Sequence, residues 1–209
     1  FDTTTFFEEK LMMDLRFNIL DPFVDKFIVC ESTYSHSGKK KEIKFDKKDF
    51  PKFQDKIVHI IIDKDPVEKT LNQNNNSKLL RQNSIQRIET QRNYISKALE
   101  DADKNDYIIY SDNDEIPNLE FHDILKEKSK IIIFEQDLYY FKFNLLCDRI
   151  KWYGTRAIKK KDLINFEWLR EIKPKKYPFY RLDTVLKKNK YTNLKILKNG
   201  GWHLSLIHI

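Results

Sequence analysis

Apolar residues fall into short blocks separated by polar stretches, and the spacing within each block predicts an element. Over residues 6–20, Phe7, Leu11, Leu15 and Ile19 recur every fourth position, the period of one helix face. Thr5-Phe6-Phe7-Glu8 has the spacing of a capping box at its start, and Asp21-Pro22 ends it. Residues 27–30 are a compact apolar run closing on Glu31-Ser32. Residues 56–62 are nearly continuous in β-branched side chains, as in a strand buried on both faces. Further strands are predicted at 107–110, 131–134, 138–146 and 156–158, and helices at 84–102, 118–128 and 162–172. Residues 63–84 contain Asn72-Gln73-Asn74-Asn75-Asn76 and offer little to pack, so a surface loop or lid is expected there. Strands alternating with helices imply an α/β sandwich, a mainly parallel central sheet flanked by helices, in one domain over 1–209.

Composition narrows the function. A chain of 209 residues with 40% hydrophobic and 13% aromatic side chains can fill a core, which argues against general disorder. The four glycines stand at 38, 154, 200 and 201, and no dinucleotide fingerprint, P-loop or nucleophile elbow can be built from them. Cys30 and Cys147 lie in apolar runs without zinc-site spacing and read as reduced core residues. No apolar run approaches a membrane span, and the N-terminus is acidic, so a soluble cytoplasmic protein is expected. The net charge of +7 fits either a well-solvated exterior or a polyanionic partner. Its clusters at Lys39-Lys40-Lys41, Lys159-Lys160-Lys161 and Lys187-Lys188 lack interleaved aromatics, and no nucleic acid is expected.

Three patterns carry candidate chemistry. The sharpest is Tyr107-Ile108-Ile109-Tyr110-Ser111-Asp112-Asn113-Asp114-Glu115-Ile116-Pro117, an apolar strand running into two aspartates spaced by two. In extended backbone such residues aim to one side, beyond a strand end, where open α/β sheets bind ligands. A divalent cation relieves the repulsion of paired carboxylates and keeps positions open for phosphate oxygens. The motif alone is weak: Asp63-Lys64-Asp65 and Asp101-Ala102-Asp103 share the spacing and read as solvated turns. Glu115 and the closing Ile116-Pro117 set the third pair apart.

The second pattern is a break. On the helix at 84–102 the stripe Ile85, Ile88, Ile95, Leu99, Ala102 places Arg92 on the apolar face. A core-facing arginine needs an anion, either Glu31 or Glu115 from the chain or a substrate diphosphate. The third is Gly200-Gly201-Trp202-His203, where paired glycines permit close backbone approach to a ligand. Trp202 can stack on a sugar or fill the core, and His203 is a candidate metal ligand.

Val24-Asp25-Lys26-Phe27-Ile28-Val29-Cys30-Glu31-Ser32, Gln91-Arg92-Asn93, Ser111-Asp112-Asn113-Asp114-Glu115-Ile116-Pro117 and Gly200-Gly201-Trp202-His203-Leu204-Ser205 occur in the order seen in glycosyltransferase family 17, which the chain resembles over nearly its whole length. The resemblance implies a GT-A-like fold and an inverting, metal-dependent transfer of a sugar, of GlcNAc type, from a UDP-sugar to a glycan or glycoconjugate hydroxyl. It implies Mn²⁺ or Mg²⁺ held by Asp112, Asp114 and His203, and a donor bound by Glu31, Arg92, Asp112 and Trp202. Glu115, adjoining the clamp, is the candidate general base, with a structural pairing to Arg92 as its alternative. Members of that family usually continue beyond the Gly-Gly-Trp-His block, so a C-terminal extension is expected to be lacking. Two other readings compete: a haloacid-dehalogenase-type phosphatase with Asp112 as nucleophile, and a basic nucleic-acid-binding domain.

Overall fold

The computed structural model describes residues 1–67, 77–140, 143–178, 190 and 193–205. Eleven strands form two sheets among these residues. The larger sheet holds β1 (Asp2–Phe6), β2 (Phe27–Ser32), β3 (Ile57–Ile62), β4 (Tyr107–Tyr110), β6 (Ile131–Phe134), β9 (Arg156–Lys159) and β10 (Leu194–Leu197). Its order is β10-β6-β9-β4-β1-β2-β3, parallel throughout except for β9, which runs antiparallel to both neighbours. The smaller sheet, in the order β5-β11-β7-β8, joins β5 (Glu115–Pro117), β11 (Gly201–Ser205), β7 (Gln136–Tyr140) and β8 (Leu145–Trp152). The helices are α1 (Lys10–Leu20), α2 (Ser77–Tyr94) and α3 (Phe166–Glu171). This is the α/β class with a mostly parallel central sheet. No helix among the described residues is long and apolar enough to cross a membrane.

Alternation along the central strands divides the core in two. Phe27, Val29, Ile109, Ile132, Phe134 and Ala157 face α1, where Met12, Met13, Phe17 and Leu20 are buried against them. Ile28, Cys30, Ile108, Tyr110, Ile131, Ile133 and Ile158 face the other way, onto Ile95 and Leu99 after α2 and onto Phe166 and Leu169 of α3. Both faces are covered, as the continuous apolar strands require.

Several sequence expectations are corrected here. Residues 2–6 form an interior strand of the larger sheet, between β4 and β2, rather than leading into a helix, which starts only at Lys10. Threonine hydroxyls and an ion pair stabilise this strand: Thr3 Oγ1 donates to Ile109 O at 2.8 Å, and Arg16 clamps Asp2 with Nε–Oδ2 at 2.7 Å. The core face of α1 carries Met13, Phe17 and Leu20, while Leu11 is exposed. Phe17 fits there because its ring packs edge-on to Phe50 and against Phe27 and Phe53. Of the expected lid at 63–84, residues 68–76 lie outside the described residues, and 77–84 are the opening turns of α2. Asp65 is no solvated turn residue, since it accepts Arg87 Nε at 2.9 and 3.1 Å. The buried positions of α2 are Asn83, Arg87 and Gln91, whereas Ile85 is exposed. Residues 118–128 hold only a 3₁₀ turn at Ile124–Lys126. Of the stretch 138–146, residues 138–140 end β7, 143–144 are a turn and 145–146 begin β8, while 141–142 lie outside the described residues. Cys30 is buried, its thiol pushed up to about 12 by burial and by Glu31, but Cys147 is only half-buried.

Glu31 shows how β2 is tied to the loop that follows it. Its fully buried carboxylate accepts from Lys41 Nζ at 2.6 Å and from the amides of Lys44 and Phe45 at 2.9 and 3.0 Å, and His59 Nε2 lies 3.5 Å away. Burial raises its proton affinity, but His59, Lys41 and the two amides outweigh this and hold the group at about 2, against 4.5 for a free glutamate. A carboxyl so depressed stabilises the fold fully above about pH 5, and that stabilisation is lost as pH falls toward 2. Its size is about 3 kcal/mol. Urea unfolding of Glu31→Gln is therefore expected to show a loss near that size at pH 7 and a much smaller one at pH 3; an equal loss at both would remove the electrostatic account.

Candidate active site

Strand order places the site before any side chain is considered. The chain leaves β1 through α1 to β2, on one side, and later returns through α2 to β4, on the other side of β1. At such a switch in direction the loops after two neighbouring strands part, leaving a crevice at their carboxyl ends. A cavity of about 350 Å³ lies there. It is lined by Thr5 and Phe6 at the end of β1, by Phe7 just beyond it and by Asp112, Asn113 and Asp114 beyond β4, with Arg92 and Gln91 of α2 as part of its wall.

The loop carrying the acids is held from two directions. From beneath, the fully buried Arg16 donates to the carbonyls of Asp112 and Glu115 at 3.3 and 3.0 Å and to Ser111 Oγ at 2.7 Å, while its other contacts clamp Asp2. From the α3 side, Arg170 donates Nη1 and Nη2 to the two oxygens of Glu115, each at 2.7 Å, and Nη2 to Asp112 Oδ2 at 2.9 Å. Glu115 is 1% exposed and also accepts from Trp152 Nε1 at 2.6 Å and from the Asp112 amide at 3.0 Å. A carboxylate with four donors around it is not free to take a proton from an acceptor hydroxyl, and the general-base expectation for Glu115 is withdrawn. Its partner is Arg170, not Arg92. Gly154 is required by this packing, because a Cβ there would stand 2.1 Å from the Glu115 carboxyl carbon.

Asp112 is also compensated by arginines. Arg92 Nη2 stands 3.7 Å from Oδ1, and Tyr110 donates its phenol to the same oxygen at 3.1 Å. Burial works against its charge, yet Arg170 and Arg92 prevail and hold the carboxyl below its ordinary value. Burial and the Asp112 charge together drive the Tyr110 phenol well above its own. A carboxylate so engaged makes a poor nucleophile, which removes the geometric basis for the phosphatase reading. Arg92 meets neither Glu31 nor Glu115 but donates to Glu167 Oε2 at 2.9 Å while lining the cavity. Although burial opposes its charge, Tyr110, Asp112 and Glu167 keep that guanidinium protonated.

Asp114 is oriented differently. Antiparallel pairing of β5 with β11 sets His203 across from Glu115, and the Leu204 amide donates to Asp114 O at 2.8 Å. His203 Nε2 thereby comes within 3.3 Å of Asp114 Oδ2, its ring stacked on Trp152 at 4.3 Å. One ligand atom each from Asp114, Glu115 and His203 lies within 4.8 Å of the others. Oxygen donors with one imidazole form a set suited to Mn²⁺ or Mg²⁺. The buried Nδ1 of His203 has no hydrogen-bond partner among the described residues. Asp112 stands with the arginines, and so does Glu115, whose two oxygens are bonded by Arg170 and Trp152; of the trio, Asp114 and His203 face each other outside that network.

Two other expectations change place. Glu31 is sealed in its own network, off the cavity wall, and acts on Lys41 and residues 44–45. Trp202 is half-buried against the core, and the paired glycines serve the protein backbone rather than a ligand. A Cβ on Gly201, at φ 123°, would lie 2.1 Å from Ile116 O. Arg170, Trp152 and Arg16 were not singled out beforehand. The available signal for Arg170 was its place three residues after Glu167 on a short helix, where both can reach one acid–base network.

A family model, Glycosyltransferase family 17, matches residues 1–208. The chain belongs to glycosyltransferase family 17. It is accordingly a glycosyltransferase, and the cavity beside Asp112 and Asp114 is the candidate active site of this family 17 domain. No curated protein matches significantly. Among solved structures, HddC from Yersinia pseudotuberculosis is similar at 13% identity over 95% of this chain and 89% of that one, with a TM-score of 0.40. HddC complexed with GMP-PN is similar at 12% identity over 90% and 76%, with a TM-score of 0.39. Likeness this distant says nothing of substrate.

Removing one partner of a buried, bidentate pair leaves an uncompensated charge and costs about 3–5 kcal/mol. Arg170→Met is expected to lose stability on that scale in denaturant unfolding, and Glu115→Gln in the same background to restore part of it. A loss below about 1 kcal/mol would show that the acid loop does not depend on Arg170.

Proposed function

We propose that this glycosyltransferase is metal-dependent and inverting, and moves a sugar of GlcNAc type from a UDP-sugar to a glycan or glycoconjugate hydroxyl. The observation that carries the metal reading is the approach of Asp114 Oδ2 and His203 Nε2 to 3.3 Å beside the cavity. Asp114 and His203 are the residues that would hold Mn²⁺ or Mg²⁺, and the Arg170-bound Glu115 is the framework behind them. What a bound cation supplies is neutralisation of charge on the departing diphosphate. Arg92, charged and on the cavity wall, adds a fixed positive group for the same oxygens. Arg170 and Arg16 act one layer back. They hold Asp112 and Glu115 in place so that the loop need not reorganise as charge develops.

A donor is recognised by a thermal-shift panel of UDP-, GDP- and CDP-sugars with and without Mn²⁺. The expected outcome is stabilisation by a UDP-sugar that largely depends on the cation, as ligand linkage requires. Asp114→Ala and His203→Ala, folded and with little change in melting temperature, are each expected to lower cation-dependent donor turnover at least about a hundredfold. Undiminished turnover in a folded Asp114→Ala protein would sink the metal reading. Stabilisation by a GDP-sugar instead would correct the base alone.

A further inference from the structure

Two aromatic side chains of the cavity have no part in the site described above. Phe7 follows β1, is 40% exposed and lines the cavity. His36, on the loop after β2, lines the same cavity, and the two ring centroids are 6.5 Å apart at an interplanar angle of 35°. Along the sheet edge the strand order β4-β1-β2 sets out Asp112–Asp114, then Phe7, then His36. The crevice therefore has the acids and Arg92 at the β4 end and two flat rings toward β2, with Glu9 also on its wall. A nucleoside diphosphate has the same two-ended chemistry.

Both rings stand on anchored backbone. Residues 35–39 form a closed turn, with Ser35 N donating to Lys39 O and Gly38 N to Ser35 O, each at 2.8 Å. Arg87 donates to His36 O at 3.3 Å while paired with Asp65, so α2 anchors the turn. Behind Phe7, Lys41 Nζ lies 5.2 Å from the ring centroid and donates to Phe7 O at 3.4 Å. Lys41 is fixed in turn by the buried Glu31.

We infer that Phe7 and His36 hold the heteroaromatic base of the sugar donor by stacking, with the diphosphate directed along the sheet edge toward Arg92 and Asp114. This rests on the reading of a nucleotide-sugar donor. A base lying between two rings at ordinary contact distance needs them about 7–8 Å apart. The observed 6.5 Å is met by a small outward turn of the exposed His36 ring. Stacking of this kind tolerates any base, so it sets affinity rather than the choice of base.

The test is titration calorimetry with UDP, GDP, CDP and inorganic pyrophosphate in the presence of Mn²⁺. For the nucleotide that wild type binds most tightly, Phe7→Ala and His36→Ala are each expected to weaken binding about tenfold, the loss of one base–aromatic stack. Pyrophosphate affinity stays within twofold and the melting temperature within about 3 °C. Phe7→Trp is expected to retain binding, its fluorescence quenched on nucleotide addition. Phe7→Leu, which keeps apolar bulk without the ring, serves if the alanine variant fails to fold, with a loss of about fivefold. Nucleotide binding within twofold of wild type in both alanine variants, or parallel loss of pyrophosphate, would overturn the stacking site and leave the donor reading intact. A wild-type protein that binds none of the three nucleotides would overturn both.

Discussion

Three carboxylates in four consecutive residues cannot share a strand end without positive charge close by, and the fold is arranged to deliver it. Arg170 reaches two of the acids from α3, Arg92 reaches one from α2, and Arg16 of α1 satisfies the carbonyls of the same loop from below. Each arginine comes from a different helix. The three helices and the two sheets are therefore joined at the acid loop as well as through their apolar faces. What remains uncompensated by arginine is Asp114, the one acid turned toward His203. An early division of labour follows: Asp112 and Glu115 belong to the framework, and Asp114 is left for chemistry.

Strands with continuous apolar runs were legible in the sequence because burial on both faces leaves no polar alternation. Those at 27–32, 57–62, 107–110 and 131–134 come out near their expected bounds. The first strand was not legible. Asp-Thr-Thr-Thr has no apolar signal, and its burial depends on a hydrogen bond to Ile109 and on Arg16, partners that only the folded chain brings near. On α1 the stripe at 7, 11, 15, 19 and the stripe at 13, 17, 20 have nearly the same period, and only the pocket formed by Phe27, Phe50 and Phe53 selects the second. The buried face of α2 reverses the hydrophobic rule because its polar side chains find polar partners: Arg87 meets Asp65 and the His36 carbonyl, and Gln91 donates to the Cys30 carbonyl of β2.

The site shows the same split. Spacing brought Asp112 and Asp114 into view, but i and i+2 geometry holds only while the backbone stays extended. Here the chain turns after β4, with the Glu115 amide donating back to Asp112 O at 3.0 Å, and the two carboxylates acquire different neighbours. The Gly-Gly-Trp-His block was legible as a place of close approach. Its partner, the backbone of Ile116 and Pro117 in β5, is a long-range pairing that spacing does not reveal. Arg92 stood out as a charge on an apolar stripe, and the cavity wall accounts for it, although the stripe itself was misplaced.

The antiparallel union of β5 with β11 also ties the reactive corner to the integrity of the smaller sheet. Asp114 and His203 come from segments far apart in the chain, and β11 seats the imidazole by lying between β5 and β7. Neither segment alone contains the corner, so any change that loosens the seam between those strands separates the two groups without touching either.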